Sequence, residues 1–378
     1  MKIAIVHEML VKLWGAEKVV ENWVKMYPQA DVFTLIYDEK KVWKVFPKNK
    51  IHPQVFKLQT QRIYTLTHKQ RLCLPFMAWS TEALDLSSYD VVLVSSSGFA
   101  HWVITKPETK TIVYYHAPAR YIWDWTNEFK RGINAQSGLK GYVLNSLFLK
   151  LRQWDFIASK RHDITLSNSK TTQKRVLKYL RLKSEILYPP IETERFDKNV
   201  ISKMSPKYTH YYIILSTLTE FKKIDIAVTA FKSIPSVNLI IIWDGEYRKK
   251  LKELSDWVSN ISFAWAQYWD DLVSLVQKSD GLIFPWEEDF WIVPIEVMAA
   301  WKPIFALKKW WLTESVIAWE TWDFFLKSDW SDFIEKFQMF HTNNMAWKYS
   351  STLCKQQAKI FDKKLFEDRI TQIVHRYN

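Results

Sequence analysis

The chain has 378 residues, with 53 Lys and Arg against 40 Asp and Glu and a formal net charge of +13. Hydrophobic residues at 48% and charged residues at 25% exclude a disordered chain, and at about 150 residues per domain the length suffices for two cores. Only two cysteines, Cys73 and Cys354, are present, which excludes a disulfide framework and a cysteine-based zinc site and fits a reducing compartment. The start, 1–10, is too short and polar for a signal peptide, and no apolar run reaches the roughly 18 residues of a membrane span.

Short apolar, β-branched runs alternate with helical patterns. Residues 2–6 read as a buried strand and 16–26 as the helix after it; 31–36, 91–95, 111–116, 163–167 and 186–188 read as further strands. The rhythm resumes with strands at 212–215, 238–242, 261–264, 281–285 and 303–307, separated by helices from 223, over 246–255, over 270–277 and over 292–300. Apolar strands alternating with helices predict parallel sheets covered on both faces, in two doubly wound domains. Pro189-Pro190 and the polar stretch after it mark a linker, so the expected domains are 1–188 and 189–350, with one long amphipathic helix over 351–378 that crosses back to the first domain.

The composition has one anomaly. Glycine numbers 7 and tryptophan 21, whereas a chain of this length at the usual ~7% would hold about 26 glycines. Many of the tryptophans fall where glycine is the default: Trp14 before Gly15, Trp243 at a strand end, Trp291 before a helix, Trp301 after one, and Trp310, Trp311, Trp319 and Trp322 in turn-like stretches. Aromatic binding surfaces do not select glycine positions. Some bacteria read UGA as glycine, and translation under a code that assigns UGA to Trp writes Trp instead. The expectation is UGA at 14, 102, 243, 265, 291, 301, 310, 311, 319 and 322, and UGG at Trp123 and Trp154.

With those positions read as glycine, Glu287-Glu288-Asp289-Phe290-Trp291-Ile292-Val293-Pro294-Ile295-Glu296 resembles the E-x7-E motif of glycosyltransferase family 4, with Glu288 and Glu296 as its acids. Trp14-Gly15-Ala16-Glu17, Tyr115-His116-Ala117-Pro118, Tyr188-Pro189-Pro190 and Trp243-Asp244-Gly245 add to the resemblance, which runs over nearly the whole chain. The stretch around His116 is most similar to the branch containing O-antigen mannosyltransferases. The resemblance implies a GT-B fold, two Rossmann-like domains facing a cleft. It also implies a retaining transferase that moves a hexose, mannose in that branch, from a nucleotide-diphosphate sugar such as GDP-mannose to a lipid-linked or polysaccharide acceptor in cell-envelope glycan synthesis. No cofactor and no bound metal are expected.

The resemblance also assigns roles. His116, Lys222 and Glu288 are the catalytic candidates: His116 contacts the donor sugar, Lys222 offsets charge on the leaving diphosphate, and Glu288 contacts the sugar. Trp14, Gly15, Thr217, Lys222, Trp291, Ile292, Val293 and Glu296 are the donor-binding candidates, Glu296 through the ribose hydroxyls. The family usually places an arginine five residues before the lysine; here that residue is Thr217, and the neighbouring Lys223 is a local rival.

The excess positive charge is interleaved with apolar residues over 57–71 and 130–161, a pattern suited to an anionic membrane surface, so the expected location is cytoplasmic and peripheral at the inner face of the cell membrane. The equal alternative is a solvated lysine face over an ordinary core. Two rival functions stand beside the transferase: a nucleotide-sugar epimerase of the same fold, and a non-catalytic basic binding protein. No nucleic-acid recognition pattern supports a nucleic-acid partner.

Overall fold

The computed structural model describes residues 1–13, 15–196, 200, 206–264, 269–286, 292–308 and 321–376, without the side chains of Arg71 and Trp269. Two compact units emerge: Met1–Pro190 with Phe366–Asn378, and Ile191–Leu365.

The first unit is built on a six-stranded sheet of β1 (Ile3–Leu10), β2 (Asp31–Tyr37), β3 (Val91–Ser96), β4 (Lys110–Tyr115), β5 (Ile164–Ser167) and β6 (Glu185–Ile186). Its order is β2-β1-β3-β4-β5-β6, and every pair is parallel. β3 is buried along its whole length, as expected of a strand covered on both faces. Helix α1 (Gly15–Met26) follows β1 directly and buries Val19, Val20 and Trp23.

The second unit repeats the scheme with β7 (Tyr212–Leu215), β8 (Leu239–Ile242), β9 (Ile261–Ala264), β10 (Gly281–Phe284), β11 (Ile304–Leu307) and β12 (Trp322–Phe325). Its order is β12-β11-β10-β7-β8-β9, again all parallel. Both units are thus Rossmann-like, and the doubly wound α/β class read from the alternation holds.

Two expectations need correction. The final stretch is two helices, α2 (Ser351–Lys359) and α3 (Lys363–His375). Between them Asp362 accepts hydrogen bonds from the hydroxyl of Thr193 and the N–H of Lys364, which stops the first helix and starts the second. Phe366, Ile370, Ile373 and Val374 of α3 pack into the core of the first unit. Trp322 lies not in a turn but at the start of a buried strand, its indole wholly covered and its Nε1 3.1 Å from Met298 Sδ.

The backbone bears on the tryptophan anomaly. Eight described non-glycine residues have positive φ, and four are tryptophan: Trp243 (112°), Trp257 (72°), Trp301 (66°) and Trp347 (57°). A bulky aromatic residue in this region is a steric outlier. Trp301 and Trp347 each close a helix in the Schellman pattern. The N–H of Trp301 donates to Met298 O and that of Lys302 to Val297 O; likewise Trp347 donates to Asn344 O and Lys348 to Asn343 O. The residue at that position is most often glycine. Trp102 behaves differently: it is fully buried, its φ is ordinary, and its indole N–H donates to Asp155 Oδ1 at 2.9 Å. Trp102 and Trp322 therefore leave the set of glycine-like positions, and Trp257 and Trp347 join it.

Candidate functional site

In the second unit the strand order reverses at β7, with β8 on one side and β10 on the other. Ligands of open α/β sheets gather outside the carboxyl ends of the strands at such a reversal. The segment after β7 ends in a short 3-10 turn, Glu220–Lys222. Lys222 is 1% exposed, and its Nζ lies 4.8 Å from the ring centroid of Trp286, which follows β10. A buried ammonium over an indole face is a favourable contact, and it brings the carboxyl ends of β7 and β10 together through one cation. Lys223, the rival, is exposed.

The loop after β7 is held by the loop after β8. Leu218 N–H donates to Asp244 O and Tyr247 N–H to Leu218 O, both at 3.0 Å. A Cβ on Gly245 would fall 2.2 Å from Leu218 O, so only glycine allows this approach. Trp243-Asp244-Gly245 thus buttresses the segment that carries Thr217, which is half-buried, and Lys222. After β10, Ile292 and Val293 open a helix, Ile292–Ala299, whose Ile295, Val297 and Met298 are wholly buried. Glu296 is 6% exposed within it. A carboxylate in so apolar a helix is costly unless it has polar work. Glu288, Trp291 and Trp14 lie outside the described residues.

In the first unit, polar groups crowd the carboxyl ends of β1, β3 and β4. Gly15 is exposed at the start of α1. Glu8, near the end of β1, accepts backbone hydrogen bonds on Oε1 from Ser97, Gly98, Phe99 and Ala100 at 2.7–3.0 Å. The nest of N–H groups that could cradle an anion is filled by the chain's own carboxylate. Glu8→Ala leaves these donors unmatched and is expected to cost about 3 kcal/mol in urea unfolding. Beside Glu8 a cavity of about 200 Å³ is lined mostly by apolar side chains, including Met9, Leu74, Met77, Phe99 and Tyr121.

His116 follows β4 and is half-buried. Its Nε2 lies 2.8 Å from Ser95 Oγ, which lies 3.0 Å from His7 Nδ1. Burial, then the nearby His7, push the His116 imidazole down to about 3. His7 is raised: burial opposes its charge, but Glu17 and then Glu8 outweigh it. His162 is also pushed down to about 3, by burial first and then by His101 and Lys160. Below the ordinary value of 6.5 the unfolded chain binds protons that folded His116 and His162 refuse until about 3, so stability is lost as pH falls across that window. His7 works oppositely, its contribution being present below 6.5 and lost as pH rises through its raised value. His341 is lowered as well, chiefly by burial, so three groups oppose one, and the urea midpoint is expected to fall from pH 7 to pH 5, less steeply in His162→Gln.

His7, Glu8, Ser95 and Trp286 were not among the sequence candidates. The signal available for the first three was position: each is a polar residue at the carboxyl end of a strand that is otherwise apolar.

Residues 196–359 match the family of glycosyl transferases group 1. Among solved structures, the chain is similar to Anabaena HepE in complex with UDP, at 15% identity and TM-score 0.69 over 100% of both chains. It is similar to sucrose-phosphate synthase from Thermosynechococcus elongatus, at 13% identity and TM-score 0.70 over 100% of this chain and 99% of that one. A glycosyltransferase from Rickettsia africae follows at 14% and 0.64, over 100% and 98%. No curated protein matches. The fold is GT-B, and with the group 1 domain the chain is a glycosyltransferase.

Proposed function

We propose that the chain transfers a hexose from a nucleoside-diphosphate sugar, with retention of anomeric configuration and without a bound metal, to a lipid-linked or polysaccharide acceptor in cell-envelope glycan synthesis. The observation that carries this reading is the buried Lys222 over Trp286 at the strand-order reversal of the group 1 domain. A cation there offsets charge on a departing diphosphate. The motif around His116 favours GDP-mannose as donor. HepE, solved in complex with UDP-glucose, favours the uridine alternative. Titration calorimetry against GDP-mannose and UDP-glucose decides between them, and binding of neither rejects the reading. Transfer to an acceptor with no free epimer formed sets it apart from an epimerase. Activity unchanged by EDTA is expected, and its loss overturns the metal-free mechanism.

The same reading places the enzyme on an anionic membrane surface, at the inner face of the cell membrane. No described helix is long and apolar enough to cross a membrane. The helix Gly138–Ala158 exposes Leu139, Tyr142, Val143, Leu149 and Ile157 beside exposed Lys140 and Lys150, which suits an interface of acyl chains and anionic headgroups. Binding to phosphatidylglycerol vesicles at low salt, weakened at high salt, is expected; binding indifferent to salt speaks against an electrostatic contribution.

The reading further holds that glycine stands at 243, 257, 301 and 347 in the protein as its cell makes it. Four exposed indoles with positive φ support this. UGA codons at these positions, with UGG at Trp102, Trp123 and Trp322, are the expected result; UGG at the first four rejects it.

A further inference from the structure

We propose that Glu17, His7 and Ser95 form a positioning relay that fixes His116 as its Nδ1–H tautomer, so that the ring presents a hydrogen-bond donor, not a base, to the donor sugar. This rests on the glycosyl-transfer reading above. The relay spans four elements. His7 on β1 stands opposite Ser95 on β3 in the parallel register, β4 beside them delivers His116, and Glu17 comes from the first turn of α1.

The direction of each hydrogen bond follows from what each atom can do. The Ser95 carbonyl can only accept, and it lies 3.2 Å from His7 Nδ1, so that nitrogen carries a hydrogen. The same hydrogen reaches Ser95 Oγ at 3.0 Å. His7 Nδ1 thus donates to the hydroxyl and cannot receive its hydrogen, which leaves His116 Nε2, at 2.8 Å, as the acceptor in line for it. Nε2 therefore accepts, and the ring proton sits on Nδ1. On the far side of His7, Glu17 Oε1 is 3.8 Å from Nε2, an ion-pair contact that favours a second proton there and so keeps Nδ1 toward Ser95 as a donor.

Nothing in packing asks for these groups. His7, Ser95 and Glu17 are 3%, 0% and 5% exposed, polar side chains buried at the end of a sheet whose strands are otherwise mostly aliphatic. The backbone of His116 is held by its amide N–H donating to Ser96 O at 2.8 Å and by the Thr172 hydroxyl donating to His116 O at 3.0 Å, and its ring packs edge-on against Tyr114.

Long-range 1H–15N correlation on histidine-labelled protein reads the tautomer directly, with His116 assigned by the signal lost in His116→Gln. A protonated Nδ1 and bare Nε2 are expected, becoming a mixture in Ser95→Ala. In kinetics, Ser95→Ala and His7→Asn are expected to lower kcat about 10- to 100-fold with donor Kd nearly unchanged, the range for partners that orient a working histidine. Ser95→Thr, which keeps the hydroxyl, restores the tautomer, and neither loss adds to that of His116→Gln. An Nε2–H ring in the unaltered protein, or losses that multiply in the double variants, overturns the relay. An Nδ1–H ring in a protein that turns over no nucleotide sugar overturns instead the functional reading and the sugar as recipient.

Discussion

Lys222→Ala is expected to lower kcat about 100- to 1000-fold while donor Kd changes little, and Glu296→Ala to weaken donor binding about 10- to 100-fold. The asymmetry follows from when each side chain meets charge. A lysine beside a departing diphosphate acts mainly as charge builds in the transition state, and removal of one such preorganised group costs roughly two to three powers of ten. A carboxylate that accepts from ribose hydroxyls acts equally before and during reaction, so its loss appears as binding, about 1.5–3 kcal/mol for hydrogen bonds to a charged group. Lys222 is almost wholly buried, so a stability control belongs with its variant. Lys222→Arg keeps the charge over Trp286 and recovers part of the rate if charge is what matters. Calorimetry for Kd and initial rates for kcat separate the two effects. Wild-type kinetics in both alanine variants, or a pure binding loss from Lys222→Ala, would sink the site.

The parts of this site that could be read in the chain were those with local spacing. Lys222 and Glu296 stand where the resemblance to glycosyltransferase family 4 places a donor-phosphate lysine and the second acid of the E-x7-E motif, so the sequence pointed to both. The group around His116 was not legible beyond His116 itself. His7 and Ser95 are 88 residues apart and meet only because β1 and β3 are neighbours in register, a long-range fact that no local pattern carries. Trp286 was invisible for the same reason, since its value lies in facing Lys222 across two strands. Strand positions were legible because buried parallel strands are continuous aliphatic runs. The exception is instructive: reading Trp322 as a glycine turned the start of the Trp322–Phe325 strand into a turn, although its indole is core. The terminal stretch misled through periodicity, which does not register that Asp362 is tied to Thr193 and interrupts the helix.

The second large effect is one of sign. Trp243→Gly, Trp257→Gly, Trp301→Gly and Trp347→Gly are each expected to stabilise the second unit, whereas Trp102→Gly and Trp322→Gly are expected to destabilise the units that hold them. At the first four positions the backbone already adopts positive φ, from 57° to 112°. A side chain there costs about 1 kcal/mol or more, which glycine relieves, although glycine also gains freedom in the unfolded chain. Trp257 and Trp347 are almost fully exposed, so little burial is forfeited with their indoles; Trp243 and Trp301, at 40% and 38%, forfeit part of theirs, and the gain there is smaller. Combined, the four substitutions are expected to raise Tm by about 5 °C for a unit of this size, most of it from Trp257 and Trp347. At Trp102 and Trp322 the indole is fully covered, and Trp102 also donates to the buried Asp155 carboxylate. Removing such a side chain leaves a cavity and costs roughly 3–5 kcal/mol. Differential scanning calorimetry of the six single variants reads both signs in one experiment. Four destabilised variants in the first set would mean that these tryptophans are native, that the backbone tolerates them, and that the glycine deficit has another origin.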